Sequence, residues 1–380
     1  MVTTRLRHAG IPAEAEAIRA EVRAFLEKEM PAVPAIARAE SWMGFDAEFS
    51  RRLGAAGLIG LTMPKSLGGR EASAFARYVV SEELLAAGAP VSAHWIADRQ
   101  SAPLLLQFGT PEQQQRYIPG INRGEIFFGI GMSEPASGSD LASIRTRALR
   151  SSDGWRLNGH KVWTTNAHRS HFIIALARTS EGETRHEGMS QFIVDLSLPG
   201  VTVQPIRDMT GEDHFNEIFF DDVALPADAL VGVEGHGWQQ VMAELAFERS
   251  GPERFLSAFV LLPLLVDRAR QETDALKRFH IGRAVARLAA LRQMSLSVTA
   301  ELDRGEKPVW SASCVKDVGT TFEQELPEIA QMLLDEPCRS GGSEESLLLA
   351  RVMQLAPSYS LRGGTREIIR GILAGGLGLR

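Results

Sequence analysis

Two short runs carry residue types that could do chemistry. The first is Gly131-Met132-Ser133-Glu134-Pro135-Ala136-Ser137-Gly138-Ser139-Asp140. It follows an apolar, glycine-bearing stretch that reads as a strand. Its small residues let the backbone approach a ligand, and its hydroxyls and exposed N–H groups can bind an anion or the edge of a heterocycle. The competing reading is an ordinary turn-rich loop. No Gly-Lys-Ser/Thr follows, so the run is not a P-loop, and no βαβ unit surrounds it, so it is not a dinucleotide fingerprint. The second run is Lys161-Val162-Trp163-Thr164-Thr165-Asn166. Alternation along a strand puts Trp163 and Thr165 on one face. A flat ring beside a hydroxyl suits packing on, and hydrogen-bonding to, a planar cofactor. The competing reading is that Trp163 is core.

The rest of the chain must position these runs. Residues 11 to about 120 read as helical: Ile18, Val22, Phe25 and Leu26 recur at helical spacing among charged residues, and Thr110-Pro111-Glu112 is a helix start. From about 126 the period changes. Gly154–Gly159 reads as a strand ending in an Asn-Gly turn, with residues 161–165 returning. Strands at 171–178 and 191–196 flank a polar loop, and 201–206 and 217–223 complete a compact β segment, a small sandwich or barrel. From Gly237 the helical period returns, with a long helix opening over 241–255. The expected fold class is α+β: an N-terminal helical domain over 1–124, a middle β domain over 125–231 and a C-terminal helical bundle over 232–380. The segment DEPCRSGGSEES, from Asp335, reads as an exposed loop.

The chain has 380 residues, 44% hydrophobic and 23% charged, which excludes wholesale disorder. A formal charge of −6 argues against bulk nucleic-acid binding. Cys314 and Cys338 make neither a disulfide framework nor a zinc site, so a reduced, cytoplasmic setting is expected. No secretory signal and no unbroken apolar stretch of about 18 residues is present, so no membrane span is expected. His168 and His171 lie three apart, but in a loop without nearby carboxylates, so no metal site is expected.

Taken together, the order of helices, GMSEPASGSD, KVWTTN and helices resembles the acyl-CoA dehydrogenase family of flavoproteins over nearly the whole chain. The resemblance implies an FAD lying between the β domain and the bundle. Carried onto matching positions, Met132 and Ser133 lie along the flavin ring, Gly138 and Ser139 contact FAD and the CoA moiety, and Trp163 and Thr165 flank the flavin. Thr365 and Glu367 match a Thr-x-Glu close to FAD. The implied reaction, in fatty acid or lipid catabolism, is α,β-dehydrogenation of an acyl-CoA thioester. A carboxylate removes the α proton, and the β hydrogen leaves as hydride to flavin N5. Such a base works best desolvated, with a raised pKa.

The chain departs from the commonest family pattern in two places. The usual base lies in Tyr-Glu-Gly-Thr, but here the sequence is Arg362-Gly363-Gly364-Thr365, with Gly363 in the glutamate's place. A minority of the family places its base on the first helix of the C-terminal domain, just before an arginine. Glu248, before Arg249, stands at that position; the competing reading is a surface acid paired with Arg249. Arg249 and Gly364, with Ser139, are the implied substrate contacts. A moved base, followed by Gly251-Pro252, suggests a branched, long or ring-bearing acyl group. The second departure is in the residues that family members donate to a neighbouring subunit's FAD: Arg278 survives as a phosphate contact, but the later glycine loop is not recognisable. The implied partners are an electron-transfer flavoprotein and either further copies of this chain or a related subunit. The alternatives are a non-catalytic or partner-dependent subunit of a heteromer, or an acyl-CoA or nitroalkane-type flavin oxidase.

Overall fold

The computed structural model describes residues 6–334 and 342–379; the side chains of residues 244–248 lie outside the described set. Cys338, and most of the loop expected from Asp335, also lie outside it. The helices before the strands are α1 (Ala13–Glu29), α2 (Ala35–Arg38), α3 (Ala47–Ala55), α4 (Ala74–Ala86), α5 (Ser92–Ile96), α6 (Ala102–Phe108) and α7 (Pro111–Asn122). The strands are β1 (Phe128–Gly131), β2 (Arg147–Ser151), β3 (Gly154–Thr165), β4 (Phe172–Arg178), β5 (Met189–Asp195), β6 (Val201–Ile206), β7 (Phe215–Pro226) and β8 (Leu230–Val231). The later helices are α8 (Gly237–Glu248), α9 (Leu261–Ala269), α10 (Ala275–Asp303), α11 (Val309–Leu333), α12 (Glu344–Leu355) and α13 (Arg366–Gly376). By compactness the chain divides into two units. One comprises Asp46–Glu71 and Ser92–Leu245; the other draws on the chain up to Phe45, on Ala72–Val91 and on the chain from Ala246 onward.

The first unit is built on one sheet of order β6-β7-β3-β2-β4-β5-β8, with β1 pairing β4 in parallel. Trp155 and Leu157 of β3 and Ile218, Phe220, Val223 and Leu225 of β7 share one buried cluster with Ile173, Ala175 and Ala177 of β4. The intervening Ile174 of β4 joins Leu104 and Leu105 of α6 and Ile118 and Ile121 of α7 in a second cluster. Strand β4 is thus buried on both faces, and its unbroken apolar run follows from that. Helix α7 starts as expected: Thr110 accepts from the Gln113 N–H, and the Gln113 side chain accepts from the Thr110 N–H.

Asn158-Gly159 does not turn the chain. Strand β3 runs through it against β7, with a register shift between Leu157 and Gly159. Asn158 Oδ1 accepts the Asp222 N–H at 2.8 Å, and Gly159 lies at φ +154° with Thr146 Oγ1 2.4 Å from where a Cβ would sit. A bulge and a tight turn both use a permissive glycine, so the dipeptide alone did not separate them. The reversal lies at Ser152-Asp153, between β2 and β3.

In the second unit α1, α4 and α10 pack together. Between them Arg292 meets Glu82 at 2.6 Å and Arg19 meets Glu82 at 3.1 Å. The helix expected over 241–255 is shorter: α8 ends at Glu248, and a short 3₁₀ turn, Pro252–Arg254, follows. Proline lacks the donor that helix continuation needs. Gly319, inside α11, lets this turn close in: a Cβ there would stand 2.2 Å from the Arg254 carbonyl oxygen. Alanine at an ordinary helix-interior glycine adds roughly 1 kcal/mol of stability. Gly319→Ala is instead expected to destabilise by about 1–3 kcal/mol, as overpacking does, measured by urea denaturation; a stabilised variant would contradict this packing.

Candidate active site

In the sheet unit the two chemistry-bearing runs lie side by side. The Val162 N–H donates to the Ser133 carbonyl at 3.0 Å. Glu134 and Ser137 exchange both backbone hydrogen bonds around Pro135-Ala136, a tight turn with proline at its second position. Farther along, the Asp140 carboxylate accepts from the Ser143 hydroxyl at 2.6 Å and pairs with Arg185. The loop is therefore closed at both ends by its own polar groups.

A buried ion pair, which the sequence reading did not single out, fastens the runs together. Lys161 Nζ donates to Glu134 Oε1 at 2.8 Å and to the Met132 carbonyl at 3.0 Å. The Glu134 carboxylate also accepts the backbone N–H groups of Arg145 and Thr146, at 2.6 and 2.9 Å. The side chains are 0% and 7% exposed. Burial opposes the Glu134 charge, but Lys161 and these hydrogen bonds outweigh it and hold the carboxyl below its usual pKa. Burial is the larger influence on Lys161, pushed down to about 8, so the ammonium still predominates at neutral pH. The available signal was a lone lysine inside a strand and a lone acid inside a small-residue loop.

Around this clamp the expected cofactor residues are arranged unequally. The Met132 side chain packs on the Ala142, Ile144, Leu176, Met189 and Val241 cluster. Ser133 is half-buried, Gly138 and Ser139 are exposed, and Gly138 has open space where a Cβ would be. Strand β3 bulges between Lys161 and Thr164, with Trp163 at φ +63°, so regular alternation does not operate there. Val162 and Thr164 are buried, while Thr165 is half-buried. Trp163 is not core: it is 58% exposed, with its ring edge-on to Phe215. The hydroxyls of Ser133, Ser139 and Thr165 have no hydrogen-bond partner among the described residues. Free hydroxyls, an open glycine and an exposed indole fit a planar heterocyclic cofactor with a polar edge. His168 Nδ1 pairs with Asn216 Oδ1 at 2.8 Å, and His171 Nδ1 accepts the Phe127 N–H at 3.1 Å.

In the helical unit, Glu248 is the last residue of α8, and its side chain lies outside the described set. Arg249 follows, 4% exposed, and its Nε donates to the Gly363 carbonyl at 3.1 Å. Gly363 and Gly364 lie at φ +65° and +100°, where a side chain is strained. A Cβ at Gly364 would stand 3.6 Å from Arg249 Nη2. The segment after Glu248 and the turn lacking the usual glutamate are thus in direct contact. Thr365 caps α13. Glu367 is exposed in its first turn, and its carboxyl is held below the usual range by its own backbone N–H and the Thr365 hydroxyl. Arg278 is exposed in the first turn of α10.

The ion pair makes stability depend on pH. The Glu134 pKa is depressed on folding, so its contribution is present above the ordinary carboxylate range and is lost as pH falls through the folded value. Lys161 acts oppositely: its depressed pKa costs stability below about 8, and that cost fades as pH rises toward the usual lysine range. Glu134→Gln is expected to lose about 3–5 kcal/mol at neutral pH by leaving a buried ammonium unpaired, and to lose less than wild type on acidification. Glu134→Gln with Lys161→Met is expected to recover part of that loss. Thermal unfolding followed from pH 7 down to pH 3, below the ordinary carboxylate range, measures both.

Three domain models of acyl-CoA dehydrogenases match the chain: the N-terminal domain over residues 12–125, the middle domain over 129–223 and the C-terminal domain over 235–378. The acyl-CoA dehydrogenase IpdE1 of Mycobacterium tuberculosis is 36% identical over 374 residues, covering 95% of this chain and 96% of that protein. Among solved structures, the Tcur3481-Tcur3483 steroid ACAD matches with a TM-score of 0.87 at 27% identity, covering 99% of each chain. The ChsE4-ChsE5 complex from Mycobacterium tuberculosis matches with a TM-score of 0.85 at 27% identity, covering 98% of this chain and 99% of that one. The layout of N-terminal helices, middle β-sheet domain and C-terminal helices is that of these proteins. The chain belongs to the acyl-CoA dehydrogenase family of flavoproteins, and it is an acyl-CoA dehydrogenase.

Proposed function

We propose that this chain holds FAD on the loop of Met132, Ser133, Gly138 and Ser139 and on Trp163 and Thr165, with Thr365 and Glu367 as further contacts and Arg278 as the phosphate contact offered to a neighbouring subunit's FAD, and that Glu248 is the base. The observation that carries the assignment of the base is the Arg249–Gly363 hydrogen bond at 3.1 Å. It joins the residue after Glu248 to the turn where the commoner family glutamate is replaced by glycine at φ +65°. That backbone favours glycine over any acid, so the carboxylate must come from elsewhere, and Glu248 directly precedes Arg249 in the chain.

The chemistry follows from the substrate. The α C–H of a thioester is barely acidic in water, so the developing enolate oxygen needs hydrogen-bond donors. The α proton passes to the Glu248 carboxylate, which becomes a carboxylic acid, and the product is the 2-enoyl thioester. Bound FAD supplies the two-electron acceptor for the β hydrogen. Arg249 and Gly364 orient the thioester, and Ser139 contacts the CoA moiety. The substrate class we assign is a branched, long or ring-bearing acyl-CoA; the likeness to a steroid ACAD supports a ring-bearing group. The partners are an electron-transfer flavoprotein and a related subunit, the latter supported by the two-component names of two structural neighbours. We place the enzyme in the cytoplasm and the domain boundaries at residues 124 and 231.

Glu248→Gln tests the base. The variant is expected to keep its flavin absorbance and to lose bleaching by acyl-CoA by about 10²–10⁴-fold, the usual contribution of a positioned base. Bleaching at the wild-type rate would contradict the assignment.

A further inference from the structure

Arg362 stands where the commoner family pattern has tyrosine, directly before Gly363. Its guanidinium lies between two aromatic rings, 4.6 Å from the centre of Trp42 and 4.7 Å from that of Tyr359. Its side chain is 10% exposed. Nη2 donates to the Ser257 hydroxyl at 3.1 Å and to Glu323 Oε2 at 3.4 Å. Glu323, buried in α11, accepts the Ser257 backbone N–H at 2.8 Å through its other oxygen. Nε and Nη1 are buried without a hydrogen-bonding acceptor among the described residues. The ring faces on either side supply the electrostatic compensation such a cation needs.

Two arginines therefore cross between the same two segments in opposite directions. Arg249 reaches from the end of α8 to the Gly363 carbonyl. Arg362 reaches from the Gly363 turn to Ser257, just past the Pro252–Arg254 turn. A helix end that stops at Glu248 and continues as irregular chain would otherwise be free to fray. We infer that Arg362 is a positioning residue for the reaction: with Ser257 and Glu323 it fixes the segment that follows Glu248, and thereby the place of the base. This rests on Glu248 being the base. Lysine cannot replace Arg362, because the role uses a flat cation between two rings with a forked donor.

The test uses the flavin-loaded enzyme, with any natural partner subunit retained. Arg362→Lys keeps the buried charge paired with Glu323, and Ser257→Ala removes one end of the clamp without exposing a charge. Both are expected to keep wild-type flavin absorbance and KM while kcat falls about tenfold to a hundredfold, the scale of a misplacement near 1 Å. The pH dependence of kcat is expected to shift on the limb that reports the base. In a Glu248→Gln background neither substitution is expected to lower the residual rate further. Unchanged kcat and pH profile in both variants, with only a lower melting temperature, would overturn the inference and leave Glu248 untouched. A fully active Glu248→Gln enzyme would instead overturn the assignment of the base.

Discussion

The Lys161–Glu134 pair is the constraint on which the two chemistry-bearing runs of the sheet unit depend. Two charges nearly excluded from water persist only where each is well partnered. Here Glu134 is met by an ammonium and two backbone N–H groups, and Lys161 by a carboxylate and the Met132 carbonyl. The geometry leaves little freedom. The loop must run along β3, and the residues on either side of the pair, Ser133 in one run and Trp163 in the other, are held at fixed places. The bulge after Lys161 follows from the same demand: it lets the lysine turn inward while Trp163 stays exposed.

The helical unit solves a different problem. A family that ordinarily carries its base on a turn here has two consecutive left-handed glycines in that turn. Such a turn cannot comfortably carry an acid, but it can approach another backbone closely. Arg249 uses that approach, and Arg362 uses the opposite side of the same turn. The chemistry assigned to Glu248 and the rigidity supplied by the arginines are thus consequences of one substitution pattern, Arg-Gly-Gly-Thr.

Much of this was legible in the sequence. The helix–strand–helix order and the capped start of α7 could be read because each rests on local rules: periodicity and capping. Asn158-Gly159 misled because a glycine that permits a turn equally permits a bulge, and only the partner strand β7 decides. The helix expected over 241–255 is too long because its tail is not apolar: Arg249 to Arg254 is polar apart from Gly251-Pro252, which marks the break. The ion pair and the Trp42–Arg362–Tyr359 stack were not legible at all. Their members lie 27 residues apart in the first case and more than 300 at the widest in the second, and no local pattern links them.

The visible absorption spectrum of the purified chain, taken before and after a panel of linear, branched and ring-bearing acyl-CoA thioesters, tests the central claim most directly. Flavin bands that bleach with a branched or ring-bearing acyl-CoA are expected. A protein that stays colourless when FAD is supplied, or a flavin that no acyl-CoA bleaches, would contradict that claim.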